Sequence, residues 1–202
     1  MPTDLKRPSD DEDEDRSGRR YAYKASLIGS AHEFELTDRG LSWKISGRSG
    51  VWAYRDISAV RLSYRPSSMQ AHRFRTDIWH KGGGRIRIMS TNWQTVSLMT
   101  PQDNGYRAFI EALHARMAAA GSKATLTGGL PKGLFAAALA FVAFLAVAMV
   151  GLLVRALMTG EYSGALFLVG FALLFNWQIG GFIRRNRPIA YTFDRLPEAL
   201  LP

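Results

Sequence analysis

The chain has 202 residues, a mass of 22.5 kDa, 47% apolar and 21% charged residues and a formal net charge of +9. It contains no cysteine, which excludes a disulfide scaffold, a thiolate metal site, a dithiol redox motif and a cysteine nucleophile. The averages conceal a partition: the first two thirds are polar and basic, and the last third carries two long runs with almost no charge.

Residues 1–20 form an acidic tail of net charge −2, with six consecutive carboxylates from Asp10 to Asp15. Such a run has nothing apolar to bury and is expected to stay disordered and solvated, the alternative being an arm that docks on the basic module behind it. No apolar segment of signal-peptide type occurs within it, so no secretory signal is expected ahead of the module. Residues 21–122 carry a net +7. Short alternating stretches there predict a sheet. Residues 32–36 place Phe34 and Leu36 on one face, and Asp38, Arg39 and Gly40 make the turn. Residues 41–45 then send Leu41, Trp43 and Ile45 inward. After a second turn come residues 51–54 and an inward set of Ile57, Val60 and Leu62. Residues 73–79 return through Lys81 and three glycines into residues 85–88, and residues 95–99 complete seven strands. One amphipathic helix is expected to follow, capped by Thr100 with Pro101 and Asp103 in its first turn. Its apolar stripe is Tyr106, Phe109, Ile110, Leu113 and Met117, and Gly121 closes it.

Seven short strands and one capping helix carry the patterns Phe34-Glu-Leu36-Thr-Asp-Arg-Gly40-Leu41-Ser-Trp43 and Trp52-Ala-Tyr54-Arg-Asp56-Ile57-Ser-Ala-Val60. This region, residues 30–121, resembles the bacterial pleckstrin-homology-like domains attached to membrane spans. The resemblance implies a partly open roll of two sheets plugged by a helix, used as a binding or assembly platform. It implies no particular ligand.

A linker, residues 123–133, leads to two apolar runs, residues 134–154 and 165–183. At 1.5 Å rise per residue these helices would span roughly 31 and 28 Å, the thickness of a bilayer's hydrocarbon core. Neither shows a polar face at helical spacing. Lys123 and Lys132 precede the pair and Arg184, Arg185, Arg187 and Arg195 follow it, against Arg155 alone in the turn, so Lys132, Arg184, Arg185 and Arg187 serve as topology anchors. Both termini are expected in the cytoplasm, and the arginine-rich, Ala/Gly-rich character suggests a bacterial inner membrane. Ala136, Ala140 and Ala143 on the first helix and Ala172, Asn176 and Gly180 on the second are the expected hairpin interface. Residues 184–202 are expected to be a cytoplasmic tail whose basic cluster acts as a topological stop. The alternative is that Tyr191 and Phe193 pair or dock on the module.

The expected fold is thus α+β, a seven-stranded roll with one capping helix followed by a two-helix transmembrane hairpin. Catalytic, cofactor-binding and metal sites are not expected. The four histidines are scattered, and His72 and His80, eight residues apart on one predicted strand, would lie roughly 26 Å apart. No nucleophile elbow, phosphate loop or dinucleotide fingerprint occurs. The candidate binding residues are Arg73, Arg75, Arg85 and Arg87, gathered by strand alternation on the face opposite Phe74, Ile78, Ile86 and Ile88. The plainer reading is a solvated outer face on which Asp77 relieves repulsion. The sharper one is contact with anionic lipid or an acidic partner beside the bilayer. Nucleic acid is disfavoured because no aromatic series follows the stripe. The expected function is a non-enzymatic, membrane-anchored binding or assembly module, partnered by the lipid bilayer and by a membrane protein or further copies of itself. The rival is an accessory subunit of a transporter or channel, recognised through its hairpin.

Overall fold

A computed structural model of the chain describes residues 19–26, 29–67, 70–95 and 98–202, so the acidic run at 10–15 lies outside the described residues. The strands are β1 (Arg20–Tyr23), β2 (His32–Thr37), β3 (Gly40–Ile45), β4 (Arg48–Trp52), β5 (Ile57–Tyr64), β6 (Phe74–His80), β7 (Arg85–Met89), β8 (Thr91–Thr95), β9 (Leu98–Pro101), β10 (Thr125–Gly128) and β11 (Ile189–Ala190). The helices are α1 (Asp103–Ala119), α2 (Lys132–Met158) and α3 (Tyr162–Arg185). The chain divides into two units: residues 1–128 with 190–202, and residues 129–189.

In the first unit, β1 to β4 form an antiparallel sheet in sequence order, and a second sheet has the order β11-β10-β5-β6-β7. β8 and β9 pair as a hairpin. The alternation that predicts the strands also builds the core. Phe34, Leu36 and Leu41 from the first sheet meet Val60, Leu62, Phe74, Ile78, Ile86 and Ile88 from the second, and all are buried. The turn between β2 and β3 needs Gly40, whose φ is +145°. A side chain there would overlap the Trp52 carbonyl oxygen across the sheet.

Six of the seven expected strands correspond to β2 to β7; the seventh, expected over residues 95–99, is replaced by the β8–β9 hairpin, in which Thr95 of one strand pairs with Leu98 of the other. β1 adds Tyr21 and Tyr23 to the core, with Tyr21 opposite Phe34. The expected linker contains β10, which pairs in parallel with β5, Leu126 opposite Val60. Helix α1 starts later than Thr100 suggests. Thr100 and Pro101 instead end β9, opposite Asn92 and Thr91. There Pro101 needs no ladder donor, and the Gln102 amide donates to the Ser90 carbonyl instead. Asp103 opens the helix. At its other end Gly121 adopts φ +67°, its amide donates to Ala118 and the Ser122 amide to Met117, so the expected glycine stop is present.

Residues 190–202 also belong to this unit. The Tyr191 amide donates to the Leu126 carbonyl, and the Tyr191 hydroxyl lies 3.0 Å from Nε2 of the buried His114. Leu200 and Leu201 are buried in the core. Arg107 donates to Glu198 at 2.6 Å and to the Pro202 carbonyl at 3.0 Å. The segment thus docks as well as following a basic cluster.

The second unit holds α2 and α3, each long and apolar enough to cross a membrane. Both exceed the expected spans: α2 absorbs Arg155, and the turn shrinks to residues around Gly160. At its base the Leu130 amide donates to the Asn186 carbonyl, and Gly129, with φ +78°, lies where a side chain would overlap the carbonyls of Asn186 and Arg187.

Candidate functional site

The outer face of the second sheet is built by strict alternation. On β6, Phe74, Thr76 and Ile78 face the core, and the Thr76 hydroxyl bonds the Tyr106 hydroxyl of α1 at 2.6 Å. Arg75, Asp77 and Trp79 therefore share the opposite face. Register places Arg87 of β7 and Arg61 of β5 directly opposite Asp77 on its two sides, and Arg85 opposite Trp79. The expected gathering of Arg75, Arg85 and Arg87 is thus present around a single carboxylate.

Asp77 is the hub. It is only 1% exposed, although it lies on the outer face, because arginine side chains cover it. Arg85 donates to Oδ1 from both Nε and Nη2, at 3.0 and 2.8 Å. Arg87 reaches the same oxygen at 3.4 Å, and Arg75 pairs with Oδ2 at 2.8 Å. Arg61 and Arg85 each place a guanidinium carbon 5.4 Å from the centroid of the Trp79 ring. Cation–π attraction holds both in place where they would otherwise repel each other. Arg61 also donates to Thr127 of β10 at 3.3 Å.

One carboxylate cannot balance so many cations. Burial holds the guanidinium of Arg65 below its ordinary pKa, as do Arg87, Arg61 and Arg85, with Asp77 opposing. Arg75 is held down by burial and by Arg65, Arg87 and Arg85, again against Asp77. The Nε atoms of Arg65 and Arg73 are buried with no hydrogen-bond partner among the described residues. Arg73 itself precedes β6 and sits at the margin of the array, lining a separate cleft with Tyr23 and His32. The array is in excess by several positive charges at fixed positions, and chemically it can attract and orient anions.

Sequence reasoning missed Arg61 and Arg65. The alternation of Val60, Leu62 and Tyr64 with Arg61, Ser63 and Arg65 carries the signal, but it has meaning only once β5 is known to neighbour β6. A bulge between Ile57 and Ala59 also breaks the parity of β5, so that Ile57 and Val60 are both buried.

In the hairpin the half-buried positions of α2 are Phe135, Ala138, Val142, Leu145, Met149, Leu153 and Ala156, at three- and four-residue spacing. Ala136, Ala140 and Ala143 are exposed and lie off this seam. On α3, Ala172 is half-buried beside Leu168, Phe175 and Ile179, whereas Asn176 and Gly180 are exposed on the flank of an interhelical groove of about 390 Å³. Lys132 is the first residue of α2 and Arg184 and Arg185 the last of α3, at the same end of the hairpin, with Arg187 just beyond. Among the described residues no group of three or more His, Asp or Glu side chains could hold a metal ion. Set against family models, curated proteins and solved structures, the chain matches none.

Proposed function

We propose that this chain is a membrane-anchored, non-enzymatic binding module, held by a two-span hairpin at the cytoplasmic face of a bacterial inner membrane, whose arginine face meets anionic lipid or an acidic segment of a membrane-protein partner. The observation that carries the reading is the array around Asp77: a fixed cluster of guanidinium groups with too few carboxylates to neutralise it. Beside an anionic leaflet each nearby Lys or Arg is worth about 1 kcal/mol of attraction. The pleckstrin-homology-like pattern of the module agrees with a platform role. Because residues on both sides of the hairpin fold into one unit, a hairpin that spans the membrane brings both flanks back to the same side. The excess of basic residues there favours the cytoplasm.

The test is purification of the tagged full-length protein from its own membranes in mild detergent, followed by native mass spectrometry. A stoichiometric protein partner or retained anionic lipid, lost in an Arg61→Glu/Arg85→Glu variant, is the expected result. Retention unchanged by that variant refutes the role of the face. The absence of cysteine makes topology easy to check: Gly160→Cys and Ser122→Cys should label with impermeant maleimide from opposite sides.

A second reading, recognition of the hairpin by a transporter or channel, draws on the interhelical groove and the Asn176 carboxamide at its flank. Loss of association on Ala172→Leu, Asn176→Ala or Gly180→Leu, with the arginine variant still bound, would favour it.

A further inference from the structure

At the margin of the arginine face lies a cleft of about 160 Å³ lined by Tyr23, Lys24, His32, Arg73, Arg87 and Trp93. Three cations surround it. The carboxylate of the neighbouring array, Asp77, is already shared by Arg75, Arg85 and Arg87, and no carboxylate lines the cleft. Arg73 makes no ion pair among the described residues, and its buried Nε has no acceptor. A half-buried guanidinium without a counter-ion is costly, and an anion in the cleft removes that cost.

The wall is also ordered in advance. The Tyr23 hydroxyl donates to the Arg87 carbonyl at 2.7 Å and therefore accepts from His32 Nδ1 at 3.2 Å, and the two rings meet edge to face. Burial raises the phenol's pKa, so Tyr23 stays neutral and adds no negative charge to the cleft. At about 160 Å³ the cleft has ample room for one tetrahedral oxyanion. Two guanidinium groups and an ammonium match a group carrying nearly two negative charges better than a single carboxylate.

We infer that this cleft binds one phosphoryl group, as inorganic phosphate or as the phosphomonoester headgroup of a lipid. The inference rests on the reading of this module as an anion-binding surface, and assigns it a discrete seat that borders the Asp77 array and shares Arg87 with it. Inorganic phosphate is titrated calorimetrically into the full-length protein in a neutral detergent at constant ionic strength. In parallel, native mass spectrometry measures retention of phosphatidic acid, a phosphomonoester, against phosphatidylglycerol, a phosphodiester. Arg73→Gln and Lys24→Gln perturb the cleft alone, and Arg85→Gln perturbs the array alone. The expected result is saturable one-to-one binding, weakened about tenfold or more by Arg73→Gln and several-fold by Lys24→Gln, and changed less than about threefold by Arg85→Gln. Retention of phosphatidic acid without affinity for free phosphate, sensitive to Arg73→Gln, supports the seat and identifies lipid as its source. No saturable binding of either probe overturns the inference. Binding that survives both cleft variants but falls with Arg85→Gln also overturns it, while leaving the arginine face as the anion-binding surface.

Discussion

Replacing Asp77 by asparagine keeps the side chain's shape and removes its charge from beneath three arginines. Breaking a fully buried ion pair by deleting one partner costs about 3–5 kcal/mol. Here the carboxylate is 1% exposed, but the side chains of Arg75, Arg85 and Arg87 are 19%, 40% and 52% exposed, so solvent takes up part of the unbalanced charge. The expected loss falls to about 2–3 kcal/mol. For a unit of this size that lowers the unfolding midpoint by roughly 8–12 °C. Thermal unfolding of the full-length protein in mild detergent, followed by fluorescence of the module's tryptophans, reads it directly. Arg87→Gln, with the longest contact and the most exposed side chain, should cost under about 1 kcal/mol. A midpoint for Asp77→Asn within about 2 °C of the unaltered protein would refute the hub, as would an equal loss in Arg87→Gln.

Deleting residues 190–202 uncovers the seats of Leu200 and Leu201 and strips Arg107 of Glu198 and the Pro202 carbonyl. At about 1.5–3 kcal/mol for each buried leucine, the deletion should cost several kcal/mol and speed proteolysis of the module; unchanged protection would contradict the docking. Burial holds His114 below its ordinary pKa, as it does His32. The unfolded chain therefore takes up protons first as pH falls below about 6.5, and stability present above that value declines toward the lower folded pKa. Melting between pH 7.5 and 5.5 should show this fall, and His114→Gln should flatten it; an equal slope in the variant would exclude His114 as its source. Gly40→Ala forces a side chain onto the Trp52 carbonyl at a positive φ and should destabilise the module by about 2 kcal/mol or more, whereas Gly47→Ala, with open space around it, should cost less; reversal of that order in a melting comparison would refute the steric argument.

Where local pattern decides, the sequence was readable. The β6–β7 hairpin, with its glycine turn and alternating Arg and Ile, yields the register and the outward arginines directly, and the helical stripe from Tyr106 to Met117 fills the core as its spacing implies. Non-local pairing was not readable. β10 has only four residues and joins β5 in parallel across a helix, a partnership no neighbouring residue announces. The burial of Asp77 needs three strands in register before it can be seen. In α2 nearly every position is apolar, so the choice between the alanines at 136, 140 and 143 and the bulkier seam is set by packing against α3, to which composition is blind.

That residues 190–202 complete the core has a consequence for how the protein is made. When a ribosome finishes β10, the module's interior still lacks Leu200 and Leu201, and the 74 residues that follow take roughly 4–15 s to synthesise. Under the proposed two-span topology, the nascent module exposes an unfilled apolar seat during that interval, which closes only if the second helix brings the chain back to the side it left. A hairpin that inserts once, or with its exit on the wrong side, strands the closing segment across the bilayer. The module then stays incomplete and open to degradation, so its folding reports whether membrane insertion succeeded.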